Sequence, residues 1–264
     1  MNLSKEFDLN DSIKLANKSG RLWLNSRRRI SARIVIKGSK GVARFFWRVN
    51  IFGIAKIVDG WLENNRSLFK KSSEKLLLDS LRSGRFDCFI DLGAHVGEQT
   101  FLAAEYLPVF AFEPDPFAFS RLQSLRDETT SKFDVNLFNS AAAEYDGFAD
   151  LFLHKRGPTN TGSSSLERRK NNVGKEKVIV KTIDIGEYLR SIPFHSILLK
   201  CDIEGAEYRV FRSLARNRVF PKISLMLTEF HDPKIPRQWI QSLRLTFWER
   251  HMYGIHKHHL LEWL

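Results

Sequence analysis

Two glycines and two acidic residues stand at positions where a nucleotide-like ligand could bind. The stretch FIDLGAHVG, residues 89–97, follows a short apolar run and precedes the helix-forming sequence EQTFLAAEYL. Glycine in a turn between a strand and a helix lets a ligand approach bare backbone, and the helix N-terminus favours an anionic group. Glu113 ends the next apolar run, 22 residues after Asp91, where an acid can accept hydrogen bonds from a ribose diol. The spacing D-x-G-x-x-x-G differs from G-x-G-x-x-G, which disfavours a nicotinamide dinucleotide.

Two further acids extend this pattern, because Asp202 and Glu229 also end predicted strands. Ligands of parallel α/β sheets bind beyond the carboxyl ends of the strands, so we expect Asp91, Glu113, Asp202 and Glu229 to lie near one site. Four acids suit a ligand that carries cations and hydroxyl groups. S-adenosylmethionine has a sulfonium, an ammonium and a ribose diol, and its carboxylate could use the helix N-terminus after Gly97.

The elements that position these acids alternate between strands and helices. The predicted strands are 86–92, 108–113, 134–139, 149–153, 177–182, 196–202 and 222–229, and the predicted helices are 71–83, 98–107, 115–126, 184–191 and 205–216. Repeated strand–helix units with apolar strands predict a doubly wound, mostly parallel sheet. Residues 155–176 are polar and form a long predicted loop, which is typical of lids and binding loops.

Positive charge is concentrated in the N-terminal third of the chain. Residues 1–82 carry 18 Lys and Arg against 7 Asp and Glu, so they hold almost all of the net charge of +12. We predict a basic, partly helical extension over residues 1–70 and a catalytic domain over residues 71–264. Within the extension, residues 41–58 form a basic amphipathic segment that either contacts an anionic membrane surface or covers the catalytic domain. Two cysteines in predicted buried strands and a polar N-terminus indicate a cytoplasmic protein.

Five sequence blocks, in order within residues 75–232, resemble the FkbM family of class I methyltransferases. They are FIDLGAHVGEQT (89–100), FEP (112–114), GSSSL (162–166), VKTID (180–184) and KCDIEGAE (200–207), of which the last is the most specific. The resemblance implies a Rossmann-like α/β fold with a mostly parallel, seven-stranded sheet and helices on both faces. It also implies that S-adenosylmethionine is the cofactor and that the reaction is O-methylation of a sugar, glycan or small metabolite.

The same resemblance assigns roles by position. It implies that the methionine end of the cofactor contacts Asp91, Gly93, Ala94 and Gly97, that Glu113 holds the ribose, that Ala141 borders the adenine, and that Asp202 lies near the reacting methyl group.

A hydroxyl acceptor must lose a proton, and four residues could act as the base: Asp202, Glu204, Glu229 and His231. We rank His231 first, since the pKa of histidine is near neutral, and Asp202 second. A purely structural His231 is an equally weighted alternative. A divalent metal on Asp202, Glu229 and His231 is a minor alternative, and no metal is predicted.

Other function classes are also compatible with parts of the sequence. An RNA methyltransferase could use the basic third of the chain to bind phosphates. Against this, the sequence DIEG at residues 202–205 stands where many base-N-methylating enzymes carry [DN]-P-P-[YF]. A non-enzymatic binding module is disfavoured by the intact glycines and the four acids, so methyl transfer to a hydroxyl group is the main prediction.

Overall fold

The computed structural model describes residues 74–129, 133–157, 159–231, 260–262 and the single positions 234, 235, 238, 241 and 244. Residues Gly84–Trp263 form one compact unit. The predicted extension over residues 1–70 and its amphipathic segment 41–58 lie outside the described residues, so the boundary at residue 70 stays a prediction. No helix within the described ranges is long and apolar enough to cross a membrane.

Strands and helices alternate as predicted. In chain order the described strands are β1 (Cys88–Leu92), β2 (Val109–Phe112), β3 (Val135–Phe138), β4 (Ala141–Ala143), β5 (Gly147–His154), β6 (Val173–Asp184), β7 (Ile197–Cys201), β8 (Ile223–Thr228) and β9 (Leu260–Glu262). The described helical residues are 74–82 (α1), Glu98–Ala104 (α2), Pro116–Thr129 (α3), Ile185–Ser191 (α4) and Glu207–Arg216 (α5), and a 3-10 turn spans Phe220–Lys222.

The main sheet reverses its direction of growth between β1 and β7. Its strand order is β3-β2-β1-β7-β8-β9, and all of these pairs are parallel. The chain therefore runs outward from β1 through β2 to β3 and later returns to place β7 beside β1. Leu92 at the end of β1 is in register with Cys201 at the end of β7. Open α/β sheets bind ligands at such a switch point, so the expected site lies beyond these two residues.

Helices cover both faces of this sheet. Successive strand residues point to opposite sides, so each strand buries side chains against both layers of helices. On one face, Ile90 of β1 belongs to the hydrophobic core together with Leu189 of α4 and Phe211 of α5. On the other face, Asp91 accepts a hydrogen bond from Thr100 of α2. Strands covered on both faces are buried along their length, as β1 and β7 are, which explains their almost continuous apolar sequences. The predicted parallel α/β fold is confirmed.

Three strands form a second sheet, in the order β4-β6-β5, with β6 parallel to β4 and antiparallel to β5. The described part of the main sheet has six strands where seven were expected. Segments 149–153 and 177–182 pair with each other outside it, and β9 adds one strand at its edge. This pairing leaves one side of the second sheet exposed, where Phe148 and Ile179 face solvent. Because β6 begins at Val173, the polar loop predicted over residues 155–176 ends earlier than expected.

Candidate active site

The turn after β1 brings the backbones of the two central strand ends into contact. Gly93 has a φ of +84°, and a Cβ at this position would lie 1.9 Å from the backbone oxygen of Asp202. The N–H of Asp202 donates to the carbonyl of Leu92 at 3.0 Å, which closes the same contact from the other side. Only glycine fits this left-handed, crowded position, so the backbone is bare where the switch point opens.

Gly97 and Ala94 shape this turn. Gly97 has a φ of +96° at the N-cap of α2, and a Cβ there would lie 2.6 Å from the side chain of Leu122 in α3. Ala94 is buried and donates its N–H to the carbonyl of Phe112 at 3.1 Å. In the structure, both predicted cofactor residues therefore set the path of the turn.

Asp91 lies one layer below the turn. Its carboxylate is fully buried and accepts hydrogen bonds from Lys200 Nζ at 3.0 Å and from Thr100 Oγ1 at 2.7 Å. Lys200 Nζ also donates to the carbonyl of Gly93 at 2.9 Å. Burial by itself lowers the pKa of Lys200, but the adjacent Asp91 and Asp202 raise it above its usual value, so the lysine stays charged. Asp91 therefore acts on the glycine turn through Lys200.

Glu113 closes β2 with its carboxylate at the edge of the switch point. One carboxylate oxygen accepts the N–H of His95 at 2.7 Å, and the other accepts the N–H of Asp115 at 2.8 Å. Burial raises the pKa of Glu113 to about 7, although the two backbone donors act to lower it. The carboxylate is thus held in one orientation and keeps lone pairs for further donors.

The loop between β5 and β6 crosses over the switch point and is tied down at several places. Thr161 Oγ1 lies 2.8 Å from His95 Nε2, and Ser164 Oγ donates to Asp115 Oδ2 at 2.7 Å. Ser165 Oγ donates to the carbonyl of Glu204 at 2.6 Å. The loop that the sequence predicted as a lid therefore forms one wall of a cleft.

This cleft collects residues from six separate segments of the chain. Its lining includes Gly93, Glu113, Ala141, Thr161, Ser164 and Asp202. Four residues of that set, Gly93, Glu113, Ala141 and Asp202, are predicted cofactor residues and line one space. Asp91, Ala94 and Gly97 lie immediately behind its wall.

A second group of predicted residues gathers around His231, whose side chain is 1% exposed. Its Nδ1 lies 2.8 Å from Glu207 Oε1. Its Nε2 lies 3.0 Å from Glu204 Oε2, 3.7 Å from Asp202 Oδ1 and 3.8 Å from Glu229 Oε1. Ligand atoms of Asp202, Glu229 and His231 all lie within 4.8 Å of one another. The structure therefore brings together all four base candidates, together with Glu207.

These acids and the histidine change each other's protonation. Burial lowers the pKa of His231, but Glu207 and Glu204 outweigh it and raise the pKa to about 10. Burial raises the pKa of Asp202 to about 6, against the opposing effect of Lys200. Burial also acts to raise the pKa of Glu204, yet His231 and Lys170 hold it well below its usual value. With a pKa near 10 and both ring nitrogens against carboxylates, His231 fits the role of base less well than Asp202 does.

Lys170 and Lys200 are functional candidates that the sequence did not single out. Lys170 is buried, and its Nζ lies 2.5 Å from Glu204 Oε2 and donates to the carbonyl of Ser163 at 2.8 Å. In the sequence it stands in the polar run ERRKNN, which is typical of solvated loops. Lys200 did carry a signal, since a lysine inside the apolar run ILLKC needs a buried partner.

A bare glycine turn at the switch point of a parallel sheet, with an acid ending the adjacent strand, defines an α/β fold of the Rossmann type. A family model described as the methyltransferase FkbM domain matches residues 91–263, well over half of the chain. The chain belongs to the FkbM methyltransferase family, which confirms the resemblance seen in its motifs.

One solved structure adds a more distant similarity. It is the methyltransferase FkbM from Methylobacillus flagellatus KT, with 14% sequence identity and a TM-score of 0.33. The similarity covers 60% of this chain and 46% of that one, so this chain spans just under half of that protein. A comparison with curated proteins gave no match.

Proposed function

We propose that this chain is an S-adenosylmethionine-dependent O-methyltransferase that acts on a hydroxyl group of a sugar, glycan or small metabolite. Family membership supports methyl transfer. The observation that carries the proposal further is the cleft at the switch point, where the bare backbone of Gly93 and the carboxylates of Glu113 and Asp202 face one space.

The lining residues fit the groups of this cofactor. Glu113 stands at the end of the strand next to β1, with its carboxylate oriented by two N–H donors and able to accept from a ribose diol. Ala141 offers a small apolar wall for an adenine ring. The acids near Asp202 favour the sulfonium and ammonium cations. When bound, the cofactor would supply a methyl group on a positively charged sulfur, which is an excellent leaving group.

The protein must then position the acceptor and remove its proton. The proton of the acceptor hydroxyl would move to a base of the protein. Asp202 lines the cleft and is close enough to the switch point to serve as this base. We assign His231, which packs among carboxylates behind Asp202, to the positioning of those acids.

Calorimetry with S-adenosylmethionine and the full chain tests the cofactor. We expect Glu113→Gln to weaken binding about tenfold or more, because a charged acceptor of ribose hydroxyls is lost. Asp202→Asn should weaken binding less than Glu113→Gln does but slow methyl transfer by about 10²-fold or more. Asp150→Asn, a carboxylate of the second sheet that pairs with Lys177, is the matched control. If the intact chain does not bind the cofactor, the proposal fails.

The acceptor class requires a separate assay. Methyl-labelled cofactor would be incubated with the full chain and with separated fractions of glycans, lipids, small metabolites and RNA. Label on a carbohydrate or metabolite oxygen, detected by mass spectrometry and NMR, supports the proposal. Label in RNA that disappears when residues 1–70 are deleted would instead favour the RNA methyltransferase considered from the sequence.

A further inference from the structure

The orientation of His231 is fixed from one side by a buried carboxylate. Glu207 is fully buried, and its Oε1 lies 2.8 Å from Nδ1 of the imidazole. The same oxygen accepts the N–H of Gly205 at 2.8 Å, so Glu207 is itself held in place. A histidine that binds a metal ion almost always donates its other ring nitrogen in this way, which fixes the tautomer and aims the free nitrogen at the ion.

The second ring nitrogen of His231 points into a group of carboxylate oxygens. Its Nε2 is buried, and although Glu204 Oε2 lies 3.0 Å away, the geometry of that contact is not that of a hydrogen bond. It lies 3.7 Å from Asp202 Oδ1 and 3.8 Å from Glu229 Oε1, and the ligand atoms of these three residues are within 4.8 Å of one another. Metal–ligand bonds of about 2.0–2.4 Å place two ligands of one ion at most about 4–5 Å apart, so one ion can reach all three.

Two lysines near the cluster contact Glu204. Lys170 Nζ is 2.5 Å and Lys234 Nζ is 3.9 Å from Glu204 Oε2. Glu204 also lies 3.0 Å from His231 Nε2, so it borders the position where Asp202, Glu229 and His231 converge. Two carboxylates and one imidazole form a ligand set that suits hard divalent cations such as Mg²⁺ and Mn²⁺.

We propose that Asp202, Glu229 and His231 bind a divalent cation at the end of the cleft, and that Glu207 positions His231 for it. Asp202 also lines the cleft, so the cation would lie within reach of an acceptor hydroxyl. A hydroxyl bound to a divalent cation gives up its proton more easily, and the proton would pass to a carboxylate oxygen of the cluster. This catalytic role rests on the proposed methyl transfer, whereas binding of the cation does not.

The competing arrangement uses the same residues without a metal. In it, a proton on Nε2 of His231 bridges to Glu204, and the carboxylates need no further cation. The two arrangements differ in a direct measurement, because only the first one takes up a divalent ion.

The test is a titration of the EDTA-treated full chain with Mn²⁺, in which the free ion is followed by electron paramagnetic resonance. We expect wild-type protein to bind one Mn²⁺ per chain and to unfold at a higher temperature when Mn²⁺ is present. Glu229→Gln should weaken Mn²⁺ binding about tenfold or more, and Glu207→Gln should weaken it about 10- to 100-fold through the loss of imidazole orientation. Asp150→Asn, which removes a carboxylate far from these ligands in sequence, should leave Mn²⁺ binding unchanged.

Two outcomes would overturn the proposal: no Mn²⁺ bound by the wild type, or equal binding by wild type and a folded Glu229→Gln variant. Wild-type stoichiometry and the rise in unfolding temperature decide the first outcome even if a variant does not fold. Calorimetry with S-adenosylmethionine is run in parallel. Cofactor binding without Mn²⁺ binding refutes the cation site alone, and Mn²⁺ binding without cofactor binding refutes the methyltransferase proposal alone.

Discussion

Lys200 Nζ lies 3.0 Å from Asp91 Oδ1, and the two residues are in register on the adjacent strands β1 and β7. Both side chains are buried, and their remaining polar groups are also satisfied. Thr100 donates to the second oxygen of Asp91, and Lys200 donates in addition to the carbonyl of Gly93. This ion pair therefore joins the two central strands beneath the glycine turn and fixes the backbone that forms the floor of the cleft.

Asp91→Asn should destabilise the protein strongly, because the buried charge of Lys200 loses the carboxylate to which it is hydrogen-bonded. We expect the free energy of unfolding to fall by about 3–5 kcal/mol in urea denaturation. Asp150→Asn is the matched control, since Asp150 pairs with Lys177 at 2.6 Å and both side chains are substantially exposed. Exposed ion pairs contribute about 0–1 kcal/mol, so equal losses in the two variants would contradict the role given to the buried pair.

Gly93→Ala should impair folding and cofactor binding together. The added Cβ would overlap the backbone oxygen of Asp202, and this contact cannot be relieved by moving a flexible side chain. Gly84→Ala is the control for backbone strain alone, because Gly84 has a φ of +65° with nothing within 4 Å of an added Cβ. In chemical denaturation, we expect Gly84→Ala to lower the free energy of unfolding by about 1 kcal/mol and Gly93→Ala to lower it clearly more. Equal losses of unfolding free energy in the two variants would contradict the close contact between the ends of β1 and β7.

Glu113 should give the stability of the protein a specific pH dependence. Burial raises the pKa of Glu113 to about 7, so between the usual pKa of a glutamate and pH 7 the folded state binds more protons than the unfolded state. Stability contributed by this group is then present at low pH and lost as pH rises through 7. The free energy of unfolding of wild type, minus that of Glu113→Gln, should decrease by up to about 3 kcal/mol between pH 5 and pH 8. A difference that is constant with pH would contradict the assigned pKa.

Elements with strong local signals could be predicted from the sequence. The buried strand Cys88–Leu92 is a short, mostly apolar run that ends in a glycine turn, and Asp115, followed by proline, caps α3 by accepting the N–H groups of Phe117 and Ala118. The pair Asp91–Lys200 could not be predicted, because it joins residues 109 positions apart and depends on the return of the chain to β1. The burial of His231 among carboxylates likewise arises only when two strand ends and the start of α5 converge.

The loop wall was the least predictable part of the site, because Lys170 is buried there although it stands in a polar run of the sequence. Its ammonium group joins the carbonyl of Ser163 to the carboxylate of Glu204, and so ties the β5–β6 loop to the turn after β7. Lys170→Met keeps the length of the side chain but removes both contacts and leaves Glu204 with one cation fewer. We expect faster backbone hydrogen exchange across residues 161–165 and weaker binding of S-adenosylmethionine.

Arg169→Met is the matched control, because Arg169 is the adjacent residue, its side chain is 58% exposed and its distance to Glu167 is 3.9 Å. An ion pair of this length at the surface contributes little, so exchange in the loop should stay at the wild-type rate. The comparison separates the effect of losing the buried contacts of Lys170 from the effect of losing a positive charge in the loop. If both variants exchange equally fast, the loop is held by the hydroxyl contacts of Thr161, Ser164 and Ser165 alone, and Lys170 has no role in closing the cleft.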